Sequence, residues 1–197
     1  MLTPTVPGGR RGSISNEFTH HILLDRESVS LMNSGEMLLS IPDASNNYHR
    51  EHILIMLENL KRWTNYDLIQ EYGFSVETLG EQVFKADFYL LSHNTAADPV
   101  LNYGNQQVLD RWQVSWSELI AMRSSDTAKP IDRASRSKLM AQVKAYNYVS
   151  GYIGVRISKT GREFQILDGT IWNLFLNDGS FYGQAAWFKS VKCDDKL

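Results

Sequence analysis

Apolar residues recur along this chain with two different periods, and each period predicts a different kind of element. Between Tyr48 and Asn65, Ile53, Met56, Leu57, Leu60 and Trp63 fall on one stripe while Glu51, Glu58, Asn59 and Lys61 take the remaining positions. A repeat near 3.6 with a polar opposite face predicts an amphipathic helix ending near Thr64-Asn65. Packing on the chain's own sheet is the ordinary use of such a stripe; a dimer seam is the alternative. From Val149 to Phe188 the pattern changes to three runs rich in Ile, Val, Phe, Tyr and Trp, separated by Lys159-Thr160-Gly161 and Asn177-Asp178-Gly179-Ser180. Gly, Asn and Asp supply positive φ at hairpin reversals, so these runs predict a three-stranded meander.

Shorter signals fill the middle. After Tyr72-Gly73, Ser75 can cap a short helix carrying Val76, Leu79 and Val83, with Glu77 in its first turn. Strands are predicted at residues 86–91 and 100–103, either side of a loop marked by Asn94 and Asp98-Pro99. A helical stretch follows from Asn105 to Trp112, and Ser115-Trp116-Ser117-Glu118 has the spacing of a capping box. A longer helix is expected from a cap at Asp132 towards Tyr146, burying Leu139, Met140 and Val143.

Composition narrows the class. A chain of 197 residues with 43% hydrophobic and 11% aromatic positions supports one core. Residues 1–47 mix Pro, Gly, Ser and Asn with short apolar patches at 22–24 and 37–39, and are expected to form a poorly ordered arm. The domain is expected over 48–190 and a polar tail over 191–197. The net charge of −2 lacks the basic excess that drives binding to nucleic acid. The lone Cys193 excludes an intrachain disulfide. No run reaches the roughly 18 apolar residues of a membrane span, and no secretory h-region opens the chain, so a cytoplasmic location without membrane contact is expected. Arg10, Arg11, Ser13 and Ser15 have a trace of transit-peptide character that Glu17, Asp25 and Glu27 dilute.

The element order, two strands, several helices and three strands after an amphipathic N-terminal helix, allows an α+β fold: a five-stranded antiparallel sheet with helices packed on one face, the topology of a PAS domain. The residues from Tyr48 to Phe188 also resemble a named family. Arg62-Trp63-Thr64, the run Ser92-His93-Asn94-Thr95 through Asp98-Pro99-Val100-Leu101-Asn102-Tyr103-Gly104-Asn105, Ser115-Trp116-Ser117-Glu118-Leu119, Gly154-Val155-Arg156-Ile157-Ser158 and Tyr182-Gly183-Gln184-Ala185-Ala186 are similar to blocks of the MEKHLA domain, in the same order. That family is PAS-like and occurs in cyanobacterial and plant proteins. The resemblance implies a sensory or regulatory character. The homeodomain and leucine zipper of its plant members are absent from this sequence, so their DNA-binding role does not carry over.

Chemistry is sparse. All five histidines, His20, His21, His49, His52 and His93, precede the helical excursion in which haem-binding PAS domains place their proximal ligand. Cys193 lies beyond the last expected strand, out of place for covalent flavin photochemistry. The pattern therefore argues against haem and covalent flavin and names no other cofactor. His49 and His52 share a helical face without a carboxylate partner and are read as surface residues rather than metal ligands. Alternation along the first meander strand places Tyr152, Gly154 and Arg156 on one face, and Arg156 mid-strand can meet a carboxylate of a ligand or of the protein itself. Trp172 and Asn173 point to opposite faces, one under the N-terminal helix. Asn102, Tyr103, Asn105 and Gln106 are placed to line a pocket mouth or to cap the next helix, and Gln184 lies on the last strand. The candidate ligand-binding set is Asn102, Tyr103, Arg156, Trp172, Asn173 and Gln184. These readings favour a noncatalytic module binding a small molecule between sheet and helices. An interaction or homodimerisation module with a filled core, docking a regulatory partner, is the alternative. A third is a small α+β-cone enzyme with Asp87 or Asp168 as general base.

Overall fold

The computed structural model describes residues 40–127 and 133–193. Residues 1–39 of the arm expected over 1–47, with its apolar patches, the expected cap at Asp132 and residues 194–197 lie outside the described residues, while the last part of that arm enters a capped turn, Ala44–His49.

The N-terminal helix α1 runs from Arg50 to Thr64. It starts two residues later than the hydrophobic period predicts, because Asn47, Tyr48 and His49 all adopt left-handed backbone angles after a capping box of Asp43 and Asn46. That turn lays the Asn47 carbonyl against Gly80, where a Cβ would meet it at 2.3 Å. Only glycine fits this contact. The helix is buried more completely than an amphipathic stripe requires: Ile53, Leu54, Ile55, Met56, Leu57 and Leu60 are all buried. The sheet takes one side, and α3 (Leu79–Phe84) packs against the other.

Helix α2, Leu68–Tyr72, is an element the sequence pattern missed; Asp67 caps it and Gly73, in the left-handed region, ends it. Helix α3 begins at Leu79 rather than at the Ser75 cap, leaving Val76 exposed. The Ser75 backbone N–H is already taken by the Gln82 side chain, at 2.8 Å. Strands β1 (Tyr89–His93) and β2 (Leu101–Gly104) follow, then α4 (Gln106–Trp112) and α5 (Trp116–Leu119), with Ser115 and Glu118 forming the predicted capping box. Helix α6 covers Arg133–Tyr146. The meander is β3 (Tyr148–Ile157), β4 (Glu163–Phe175) and β5 (Phe181–Phe188).

These strands form one antiparallel sheet in the order β2-β1-β5-β4-β3. A sixth strand, β6 (Ser190–Cys193), occupies the start of the segment expected as a polar tail and pairs with β4. Its register continues that of β5 without a slip, so β5 and β6 are one long strand interrupted near Lys189. Opposite the interruption, Asp168 has φ of 54°. The fold is PAS-like, with the helical excursion inserted between β2 and β3.

Cross-strand partners share a face of a sheet, so the pairings sort the side chains. Trp172, Ala185 and Ser92 lie on the face beneath α1, where the Trp172 indole donates to the Met56 carbonyl at 3.0 Å. Ile171, Ala186 and Leu91 lie on the opposite face, as do Asn173, Gln184 and His93. On that side Asn173 reaches α6, donating to the Val143 carbonyl.

Candidate functional site

The face turned away from α1 is not filled by side chains of the described residues. It carries a cavity of about 600 Å³, bounded by β1, β3, β4, β5, the loop after β1 and α6. This is within the usual range of small-molecule sites, roughly 300–1,000 Å³. Its floor is apolar, with Ile166, Ile171 and Ala186 from β4 and β5.

Two of the six predicted site residues line this cavity, Arg156 and Gln184. They stand at opposite ends. Arg156 pairs across the sheet with Phe164 of β4, whereas Gln184 pairs with Asn173, nine residues further along the same strand. At about 3.3 Å per residue their anchor points are separated by roughly 30 Å of strand. The expected intramolecular ion pair of Arg156 is not found among the described residues. Its guanidinium donates to the Val155 carbonyl at 3.1 Å and sits 5.3 Å from the ring centre of Tyr152. Tyr152 folds back over Gly154, where its hydroxyl occupies the space of a Cβ, and that hydroxyl is buried without a hydrogen-bond partner among the described residues. Gln184 is held through a relay: its Nε2 donates to Asn173 Oδ1, while Asn173 Nδ2 donates to Val143 and Asn147. One further charge at the wall, Asp98, is already paired with Arg123 at 3.1 Å.

The other four candidates lie outside the cavity lining. Trp172 is fully buried under α1. Asn173 positions Gln184 rather than lining the space itself. Tyr103 is fully buried between His52 and Trp116, at ring separations of 5.6 and 6.2 Å. Asn102 accepts from the Ser92 hydroxyl at 2.6 Å. Asn105 occupies the N-cap position of α4, yet its side chain turns inward to bond Leu90 N–H and the Phe88 carbonyl.

The histidines correct a sequence expectation. His49 and His52 are buried, not on the surface. His49 bonds the Ser40 carbonyl and stacks on Trp116. His52 lies between the Tyr182 hydroxyl and the Ser92 hydroxyl, each at 2.8 Å. Burial lowers its pKa to about 3, so the ring is neutral. Ser92 spends its single proton on Asn102, so His52 Nε2 must donate to Ser92 and Nδ1 must accept from Tyr182. The His-x-x-His spacing at the start of α1 was the available signal; the partners of His52 sit 40 and 130 residues away and left no local trace. Both cone-enzyme carboxylates, Asp87 and Asp168, are exposed, and neither lines the cavity.

Comparison with solved structures returns PAS and light-oxygen-voltage domains at low identity. A PAS domain from Colwellia psychrerythraea is 11% identical, with 66% of this chain and 100% of that one covered and a TM-score of 0.48. The light-state dimer of the fungal blue-light photoreceptor Vivid is 15% identical, covering 52% of this chain and 77% of its own, with a TM-score of 0.43. A light-oxygen-voltage domain studied with a flavin analogue is 13% identical over 59% of this chain and 85% of its own, at a TM-score of 0.46. No curated protein matches the sequence. The sequence model of the MEKHLA domain, however, matches residues 50–193, well over half of the chain, and the protein belongs to the MEKHLA domain family.

Proposed function

We propose that this protein is a noncatalytic sensory or regulatory module that holds a small molecule between the sheet and α6. The observation that carries this reading is the 600 Å³ cavity on the sheet face opposite α1, with the Arg156 cation on its wall. A module whose only task was to dock a partner would gain stability by filling that space, since unfilled apolar volume is destabilising. Native mass spectrometry on protein purified gently from its own type of cell, compared with the denatured mass, is the test. A reproducible extra mass in the wild type that is absent from Ala186→Phe supports the reading; an unmodified mass in both speaks against it.

A second reading is supported by one observation. Ile153, on the edge strand β3, is 62% exposed, an apolar side chain on a sheet edge unpaired among the described residues and suited to a second copy or a regulatory protein. Size-exclusion mass across a concentration series tests it, and a monomer at high concentration rules out self-association.

A further inference from the structure

Arg156 is a cation with no carboxylate within ion-pair distance among the described residues, and it lies on the wall of a cavity rather than in water. Its guanidinium has five N–H donors, of which the Val155 carbonyl engages one nitrogen. Directly beneath it is the Tyr152 ring, whose buried hydroxyl also lacks a partner. The remaining guanidinium donors form a planar fork, held over the Tyr152 ring, that matches the two oxygens of a carboxylate. The rest of the cavity does not repeat this chemistry. Along the strands from Arg156 the floor becomes Ile166, Ile171 and Ala186, and the far end is closed by Gln184 and His93. A volume of about 600 Å³ stretched between residues so far apart on β4 is a slot, not a bowl.

We infer that the cavity takes an amphiphilic monocarboxylate, its carboxylate seated on the Arg156 fork and its apolar body laid along Ile166, Ile171 and Ala186 towards Gln184. This rests on the ligand-binding reading of the same cavity and adds the ligand's chemistry to it. Charge selects the acid, because Asp98, the one acidic group on the wall among the described residues, is paired with Arg123. Length is selected by the slot, so a short acid gains the head contact and loses the rest. Gly154 is part of the device: without a Cβ it leaves room for Tyr152 to fold flat beside Arg156.

Calorimetric titration of the full chain with decanoate, decanol and acetate tests this. Decanoate is expected to bind at one site, with decanol and acetate each at least tenfold weaker. Arg156→Gln is expected to weaken decanoate at least tenfold and leave decanol unchanged. Equal affinity for decanoate and decanol in the wild type overturns the inference without recourse to any variant, and so does an Arg156→Gln protein, folded by circular dichroism, that keeps full affinity for decanoate. The outcomes also separate the two levels of the argument. If native mass spectrometry finds a bound molecule that is not an acid, the carboxylate assignment fails while the ligand-binding reading stands; if no mass is found and no probe binds, both fail.

Discussion

His52 shows how one buried residue sets a property of the whole protein. Its ring is neutral in the folded state because burial opposes charge, whereas in the unfolded chain it takes up a proton near the ordinary histidine value of about 6.5. The folded pKa is depressed, so the unfolded state binds more protons once the pH falls below that value. The stabilisation is complete above about pH 6.5 and is lost as the pH falls towards 3. Between pH 6.5 and 5 His52 alone is expected to remove about 2 kcal/mol, and His49, lowered by the same cause, adds to the slope. Urea denaturation at several pH values checks this: the wild type should weaken across that window, and His52→Gln should follow a shallower line from a lower starting stability. A parallel slope would mean that the ring is not shielded from protons. Asn59 is a second case. Its amide clamps the backbone of Phe175 through both N–H and C=O, at 3.2 and 3.0 Å. Asn59→Ala leaves both groups without a partner in a part-buried site, and a loss of about 3 kcal/mol in urea denaturation is expected.

At the scale of elements, much was legible because the signals were local. The two Gly-containing turns of the meander, the Ser115–Glu118 capping box and the stripe of α1 all declare themselves within a few residues. What failed was set by distant partners. The start of α1 slipped because Asn47, Tyr48 and His49 form a left-handed turn packed on Gly80, and at α3 the Ser75 hydroxyl is bonded to the Glu77 carboxylate instead of to a helix N–H, so the helix starts only at Leu79. Tyr103 and Trp172 read as site residues because they neighbour Asn102 and Asn173, yet both belong to the layer under α1. Arg156 was legible, since strand alternation places it with Tyr152 and Gly154 on the face that proves to line the cavity. Close approach between elements also gives a sharp expectation. A Cβ on Gly183 would come within 2.2 Å of the His93 carbonyl, and its φ of 151° is one that side chains rarely adopt. Gly183→Ala should break the β1–β5 pairing and cost more than about 3 kcal/mol, seen as an early urea midpoint or insoluble expression.

At the scale of the whole molecule, the two faces of the sheet have different jobs. The side under α1 carries Trp172, Leu174, Leu90 and the buried residues of the helix, and it holds the fold together. The side under α6 carries the buried Ile166 and Ile171 and the half-buried Tyr152, Arg156 and Gln184 around an open volume. Filling that volume should therefore spare stability: Ala186→Phe is expected to keep or raise the melting temperature while abolishing decanoate uptake, measured by thermal denaturation with and without the acid. A fall of several degrees would mean that the space is already occupied by the protein itself. The purified protein is also expected to be colourless, which an absorption spectrum checks; a stoichiometric haem or flavin band would contradict the reading of its histidines and cysteine. One detail of the α1 face reaches further than packing. His52 is fixed in the Nε2–H form by Asn102, a residue on the edge strand that the ring does not touch, with Ser92 as intermediary. The imidazole is thus a built-in gauge. Its nitrogen-15 spectrum will register whether β2 is still seated on β1 as the protein warms or takes up an acid, with no foreign label introduced into the core.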